Sequence, residues 1–213
     1  EIAKGNYDIG IAFDGDGDRI LIIAADGTIL DGDDILYILS KQISDDSGIV
    51  GTLMTNKSLE LHFQENNIDF LRADVGDKYV LQKLTEKAWH LGGEPSGHII
   101  CLDAAQTGDA MIAALKVLDV IKDESFSLTK ALEEFEKFPQ TLINLKVNNP
   151  NKVIISDKFW QKVTDIEFQL GEEGRVLIRP SGTEPLIRIM VESREQKISD
   201  NLCNALADLA KTI

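Results

Sequence analysis

The chain is poor in the residues that mark several protein classes. It has two cysteines, Cys101 and Cys203, too few for a disulfide framework. Both sit in apolar surroundings and read as reduced core residues, so a cytoplasmic setting is expected. It has five prolines and no repeat or low-complexity tract, which excludes a Pro-rich or disordered chain. Basic residues are outnumbered, 22 against 36 acidic, for a formal net charge of −14. Such a balance argues against nucleic acid held on a basic surface. No apolar run is long enough to span a bilayer and no signal peptide is visible, so neither membrane nor secretion is expected. What remains is 213 residues at 43% hydrophobic content, enough for one large core or two smaller ones.

One stretch organises the rest. In YDIGIAFDGDGDR (7–19) an apolar run, Ile9 to Phe13, ends in Asp14, Asp16 and Asp18, separated by glycines and followed by Arg19. A buried strand running into three alternating carboxylates makes little packing sense, because like charges repel unless a cation joins them. Glycines let the backbone fold back so that the three can converge. Hard oxygen ligands of this kind suit Mg²⁺. A calcium EF-hand would need Gly sixth and Glu twelfth from Asp14, where Arg19 and Ala25 stand. A phosphatase with Asp14 as its nucleophile is the competing chemistry, since it too uses Asp-x-Asp at a strand end.

After this loop the pattern predicts a strand over 20–24, a hairpin turn and a short return strand to Leu30. A helix over 33–43 follows, then strand 49–53, helix 57–66, strand 70–73 and helix 77–89 with Asp77 as its cap. Next come a loop over 92–98, strand 99–102, helix 108–121 capped by Thr107, and helix 128–135. Strand–helix alternation argues a mixed, mostly parallel sheet with flanking helices. Phe138-Pro139 and Asn148-Asn149-Pro150 bracket a strand over 141–147 and suggest a boundary near 145–150. Beyond it, helix 151–163, strand 174–179, strand 186–191 and helix 195–212 read as a small C-terminal α+β domain. The overall expectation is an α/β chain in three parts. Residues 1–31 would be the end of a preceding domain with the acidic loop, 32–147 an α/β domain, and 148–213 the α+β domain. The abrupt lead of residues 1–6 into a strand suggests a domain whose start is missing.

Two further loops carry chemistry. In GGEPSGH (92–98), glycines and a proline fix an open turn bearing Glu94, Ser96 and His98. Glu94 and Ser96 suit sugar hydroxyls, and His98 titrates near neutrality and can move a proton. In RPSGTEP (179–185), Ser181, Gly182 and Thr183 offer hydroxyls and a backbone anion nest, with Arg179 and Arg188 as cations at its edges. Lys78, in a helix's first turn, is misplaced for the helix dipole and so points to an anion or a reacting hydroxyl. His62 and His90 read as ordinary structural residues.

The three loops, in this order, resemble those of the α-D-phosphohexomutases. The segments LDGDDILYIL, VGTLMTNKSLEL, VGDKYV and TLINLKV are most similar to the bacterial branch that handles glucosamine phosphate. The resemblance covers essentially the whole chain. It implies interconversion of glucosamine 6-phosphate and glucosamine 1-phosphate through a phosphoserine and a bisphosphate intermediate. It implies Mg²⁺ on Asp14, Asp16 and Asp18, and Arg19 beside the transferred phosphoryl group. Lys78 would stand near the reacting hydroxyl, Glu94 and Ser96 at the sugar hydroxyls with Gly97 beside them and His98 nearby as a candidate proton carrier, and Arg179, Ser181, Gly182 and Thr183 at the non-reacting phosphate with Arg188 in support. The implied partner is a sugar phosphate, and a homodimer is an expectation for the full-length protein. Family members are about twice as long and carry the serine in an N-terminal half, in a motif that this sequence lacks. The chain alone is therefore expected to be inactive, and a non-catalytic sugar-phosphate-binding fragment remains an alternative.

Overall fold

The computed structural model describes residues 1–44, 46–122, 127–147, 149–181 and 185–213. By internal contacts the chain divides into two units, Glu1–Glu136 and Lys137–Ile213.

The first unit opens with an antiparallel sheet in the order β1 (Ile9–Phe13), β2 (Ile20–Ala24), β3 (Ile29–Leu30). β1 is an edge strand and, against expectation, is not buried. Ile11 is 37% exposed and Phe13 46%, because among the described residues β1 pairs with β2 alone. β2 alternates as a half-buried strand should, with Ile20 and Ile22 inside and Leu21 outside.

The chain then passes into α1 (Gly32–Ser40), whose nine residues are all buried. Asp31 caps it, accepting from the N–H groups of Asp33 and Asp34, while the Asp34 carboxylate accepts from the Asp31 N–H. This reciprocal box replaces orphan donors at a helix start and contributes about 1 kcal/mol.

A four-stranded sheet follows, in the order β5 (Asp69–Ala73), β4 (Gly48–Thr52), β6 (Leu91–Gly93), β7 (Ile99–Cys101). β4 runs parallel to β5 and β6, and β7 returns antiparallel to β6. The sheet is thus mixed and mostly parallel. β6 falls where only a loop is expected, because two of its three residues are glycines.

β4 is buried along its whole length and alternates between two layers. Ile49 joins α1, Leu59 and Phe63 of α2 (Lys57–Glu65), and the apolar face of α4 (Ala110–Ile121). Val50 faces the other way, onto Val80 and Leu84 of α3 (Asp77–Lys87). Two expected caps differ. Gly76, with φ of +129°, precedes α3, and Asp77 lies inside its first turn. α4 is capped by Asp109, which accepts from Met111 and Ile112, rather than by Thr107. α5 is a single turn, Leu128–Ala131, shorter than expected.

The second unit is an antiparallel sheet in the order β8 (Gln140–Lys146), β10 (Leu186–Ser193), β9 (Gly174–Pro180). β8 pairs with β10, so the punctuation at 148–150 lies inside this unit and the division falls ahead of the strand. The expected helix 151–163 is two helices. α6 (Pro150–Ile154) stops at Ile155, and Ser156 caps α7 (Asp157–Leu170) by accepting from the Phe159 N–H. α7 and α8 (Gln196–Lys211) pack Phe159, Val163, Ile166, Cys203 and Leu206 against Ile187, Ile189 and Val191 of β10. Glu192 is fully buried and is neutralised by Arg175, with Nε 2.5 Å from Oε2, while the Gln140 amide donates to its Oε1 at 2.9 Å. Cys101 and Cys203 are both buried free thiols. Among the described residues no helix is long and apolar enough to cross a membrane.

Candidate functional site

The turn between β1 and β2 brings Asp14, Asp16 and Asp18 together, with one ligand oxygen from each lying within 4.8 Å of the others. Gly17, at φ of +74°, takes the left-handed conformation that reverses the chain. The reversal is fastened internally by the Asp14 N–H to the Arg19 carbonyl (3.3 Å) and the Arg19 N–H to Asp14 Oδ1 (3.2 Å). It is fastened externally by the Ala110 N–H, at the start of α4, to the Gly17 carbonyl (3.1 Å).

Charge crowding is visible in the carboxylates. Slight burial raises the Asp14 carboxyl, but the Arg19 N–H, the Asp18 hydrogen bond and the Arg19 charge outweigh it and hold Asp14 below its usual range. Burial together with Asp14 and Asp16 pushes Asp18 upward, with His98 opposing. Three hard oxygen donors converging on one point at mutual electrostatic cost fit a small divalent cation. Among the described residues this is the one cluster of three or more such groups.

The loop over 94–98 lies directly against this turn. The Ile20 N–H donates to the Gly97 carbonyl at 3.1 Å, and Arg19 and His98 form an antiparallel bridge pair. Gly97 has φ of +90°, and a Cβ there would strike the Ile20 carbonyl. The Gly32 N–H donates to the Pro95 carbonyl, tying the same loop to the start of α1. Ser96 is exposed and Glu94 half-buried. Burial raises the Glu94 carboxyl, as does Asp77, while His98, Arg19 and the Gly76 N–H oppose. Glu94 is therefore within electrostatic range of both the acidic turn and the start of α3. Lys78 is exposed there, its Nζ over the Tyr79 ring at 4.6 Å from the centroid.

His98 lies 6% exposed, its Nδ1 3.2 Å from Asp18 Oδ2. Nothing in the spacing of the sequence points to the residue that packs against this ring, Gly108.

In the second unit, β9 and β10 bracket the third loop. Their register sets Arg179 directly opposite Arg188. Two like charges facing each other on one sheet face are unfavourable by themselves, which favours an anion between them. The Ser181 N–H donates to the Leu186 carbonyl at 2.9 Å and closes the hairpin. Gly182 and Thr183 lie outside the described residues.

Each of the two units overlaps a model of one known family. Residues 31–138 match the family model of the phosphoglucomutase/phosphomannomutase alpha/beta/alpha domain III, and residues 142–209 match that family's C-terminal domain. The chain belongs to the phosphoglucomutase/phosphomannomutase family.

Among curated proteins it is 46% identical over 207 residues to the phosphoglucosamine mutase of Janthinobacterium sp. (strain Marseille), covering 93% of this chain and 45% of that protein. It is 48% identical over 205 residues to the phosphoglucosamine mutase of Aeromonas hydrophila, covering 94% and 46%. The chain thus spans about half the length of the curated relatives it matches. Among solved structures, a phosphoglucomutase/phosphomannomutase family protein of Burkholderia thailandensis superposes with a TM-score of 0.81 at 23% identity, covering 99% of this chain and 48% of that one. The N-acetylphosphoglucosamine mutase of Aspergillus fumigatus, in complex with GlcNAc-6P and magnesium, gives 0.77 at 18%, covering 95% and 48%. At these identities the superpositions establish the fold.

Proposed function

We propose that this chain is the part of a phosphoglucosamine mutase that carries its metal, sugar and phosphate loops. The full-length protein would interconvert glucosamine 6-phosphate and glucosamine 1-phosphate, with a phosphoserine supplied by the upstream half and a sugar bisphosphate as intermediate. The observation that carries this reading is the convergence of Asp14, Asp16 and Asp18 on a turn hydrogen-bonded through Ile20 to the GGEPSGH loop. On this reading residues 1–31 are the end of a preceding domain.

Each residue's part follows from its chemistry. Asp14, Asp16 and Asp18 would hold Mg²⁺, which when bound offsets negative charge on a transferring phosphoryl group. The Arg19 side chain, 57% exposed and with its Nε 4.0 Å from Asp14 Oδ2, would place its guanidinium toward the same oxygens. Glu94 accepts from sugar hydroxyls and the exposed Ser96 hydroxyl completes that contact, with Gly97 shaping the turn. Lys78 offers a mobile cation near the reacting hydroxyl. Arg179 and Arg188 grip the non-reacting phosphate, aided by Ser181, Gly182 and Thr183. A cytoplasmic setting suits the two free thiols.

The test is product analysis of the purified chain with glucosamine 6-phosphate and Mg²⁺. The proposal expects neither glucosamine 1-phosphate nor free phosphate, and expects glucosamine 1-phosphate once the upstream half is restored. Phosphate release by the chain alone, abolished in Asp14→Asn, would establish the phosphatase chemistry instead.

A further inference from the structure

We infer that Asn144 and Lys146, two residues of β8, are further phosphate-binding residues, so that the anion site is a surface of three strands and not the hairpin loop alone. The inference rests on the reading of Arg179 and Arg188 as a phosphate site.

Strand alternation and register bring these groups together. β8 and β10 turn Leu145, Ile187 and Ile189 toward the helices, where they are buried in the core of the second unit. The residues between them fall on the other face, and there Asn144, Lys146 and Arg188 are exposed. Arg188 stands opposite Asn144 on one side and Arg179 on the other, which makes one row across the sheet. Leu186 stands opposite Lys146, and its carbonyl accepts from the Ser181 N–H at 2.9 Å, which makes a second row beside the first. Of these six residues, Leu186 alone has no side-chain hydrogen-bond donor.

Charge on this face is of one sign. The chain has 36 acidic residues against 22 basic ones, yet neither row holds a carboxylate. The first acidic residue along this face of β10 is Glu192, which Arg175 already neutralises. Among the described residues Lys146, Arg179 and Arg188 make no ion pair. Side chains directly opposite have Cβ atoms about 5 Å apart and diagonal ones about 7–8 Å, within reach of long side chains. Three cations this close repel one another unless an anion lies among them. A phosphate monoester carries close to two negative charges near pH 7. Arg179 and Arg188 can fork onto its oxygens, and Lys146, a point charge on a flexible stem, reaches it from the diagonal. The Asn144 amide, opposite Arg188, donates to an oxygen that the cations leave open.

Calorimetry of glucosamine 6-phosphate binding to the whole chain tests this. Lys146→Met keeps the stem and removes the charge, and is expected to weaken binding about fivefold, the upper value for an exposed ion pair. Lys146→Arg keeps a cation and is expected to restore most of that loss. Asn144→Ala is expected to weaken binding about threefold. Both side chains are exposed, so neither exchange opens the core. Lys197→Met removes the same charge from the first turn of α8, past the far end of β10. It is expected to leave affinity unchanged at physiological salt, where charges are screened over about 8 Å. Parental affinity in Lys146→Met or in Asn144→Ala overturns the inference, as does Lys146→Arg as weak as Lys146→Met. An equal loss in Lys197→Met overturns it too, by assigning the effect to net charge. Failure of the phosphate-site reading looks different: the unmodified chain would then bind no glucosamine 6-phosphate, or would bind it undiminished in Arg179→Ala.

Discussion

Replacing Arg188 by alanine should move the stability of the second unit in opposite directions with and without ligand. Arg188 and Arg179 face each other across β10 and β9. Directly opposed like charges in a sheet cost a fraction of a kcal/mol, so the unliganded Arg188→Ala chain should be more stable by about 0.5 kcal/mol. With a bound phosphate the sign reverses. A ligand at one hundred times its dissociation constant stabilises the fold by about 2.7 kcal/mol. A guanidinium–phosphate bond contributes about 1.5–3 kcal/mol, and the exposure of Arg188 calls for the low end of that range. A loss of about 1.5 kcal/mol weakens binding a little over tenfold and leaves about 1.3 kcal/mol of stabilisation at the same ligand concentration. Urea unfolding with Trp160 fluorescence in a Trp89→Phe background, with and without glucosamine 6-phosphate, reads both quantities. A variant less stable than the parent without ligand, yet equally stabilised by it, would refute the pairing and the phosphate site together.

Two further outcomes concern the first unit. Phe63 is fully buried between α1, α2 and β4, and Phe63→Ala should cost about 3–5 kcal/mol, measured by chemical denaturation. Burial raises the Glu60 carboxyl, but the Arg72 hydrogen bonds at 2.8 and 3.1 Å, the Arg72 charge and Lys57 outweigh it and lower the group below its ordinary 4.5. Its contribution is therefore present above 4.5 and is lost as pH falls through the lowered value. Thermal unfolding should show Glu60→Gln less stable near neutrality by about 1.5 kcal/mol, with the gap closing in acid. A gap that widened in acid would reverse the assigned sign.

Much of the fold was legible because its signals are local. The apolar runs of β2, β4 and β5 and the helical spacing in α1 and α4 announce themselves within a dozen residues. The misses have physical causes. β6 is built on Gly92 and Gly93, which carry no strand propensity and owe their strand to pairing, Gly92 with Val50 and Ile100 and Gly93 with Ile99. The break between α6 and α7 turns on one hydroxyl, Ser156, in an otherwise continuous helical pattern. The exposure of β1 reflects its place at a sheet edge, which an apolar run does not encode. β8 joins the second unit by pairing with a strand some forty residues downstream, so the nearby prolines misdirect the boundary. In the candidate site, the residue types of each loop were legible in the sequence, but their arrangement was not. That Arg179 opposes Arg188 needed the register, and that His98 is pinned between Asp18 and Gly108 needed three dimensions.

The bond from the Ile20 N–H to the Gly97 carbonyl, and that from the Ala110 N–H to Gly17, also set an order in time. A hairpin of β1 and β2 closes within a short span, whereas its anchors lie most of a unit further along the chain. Non-local closures form late because their loop entropy must be met first. During synthesis the acidic turn therefore emerges long before the residues that hold its shape. The final shape of the acidic turn is therefore expected late in the folding of the first unit, lagging in a refolding experiment behind the far-ultraviolet signal of the helices.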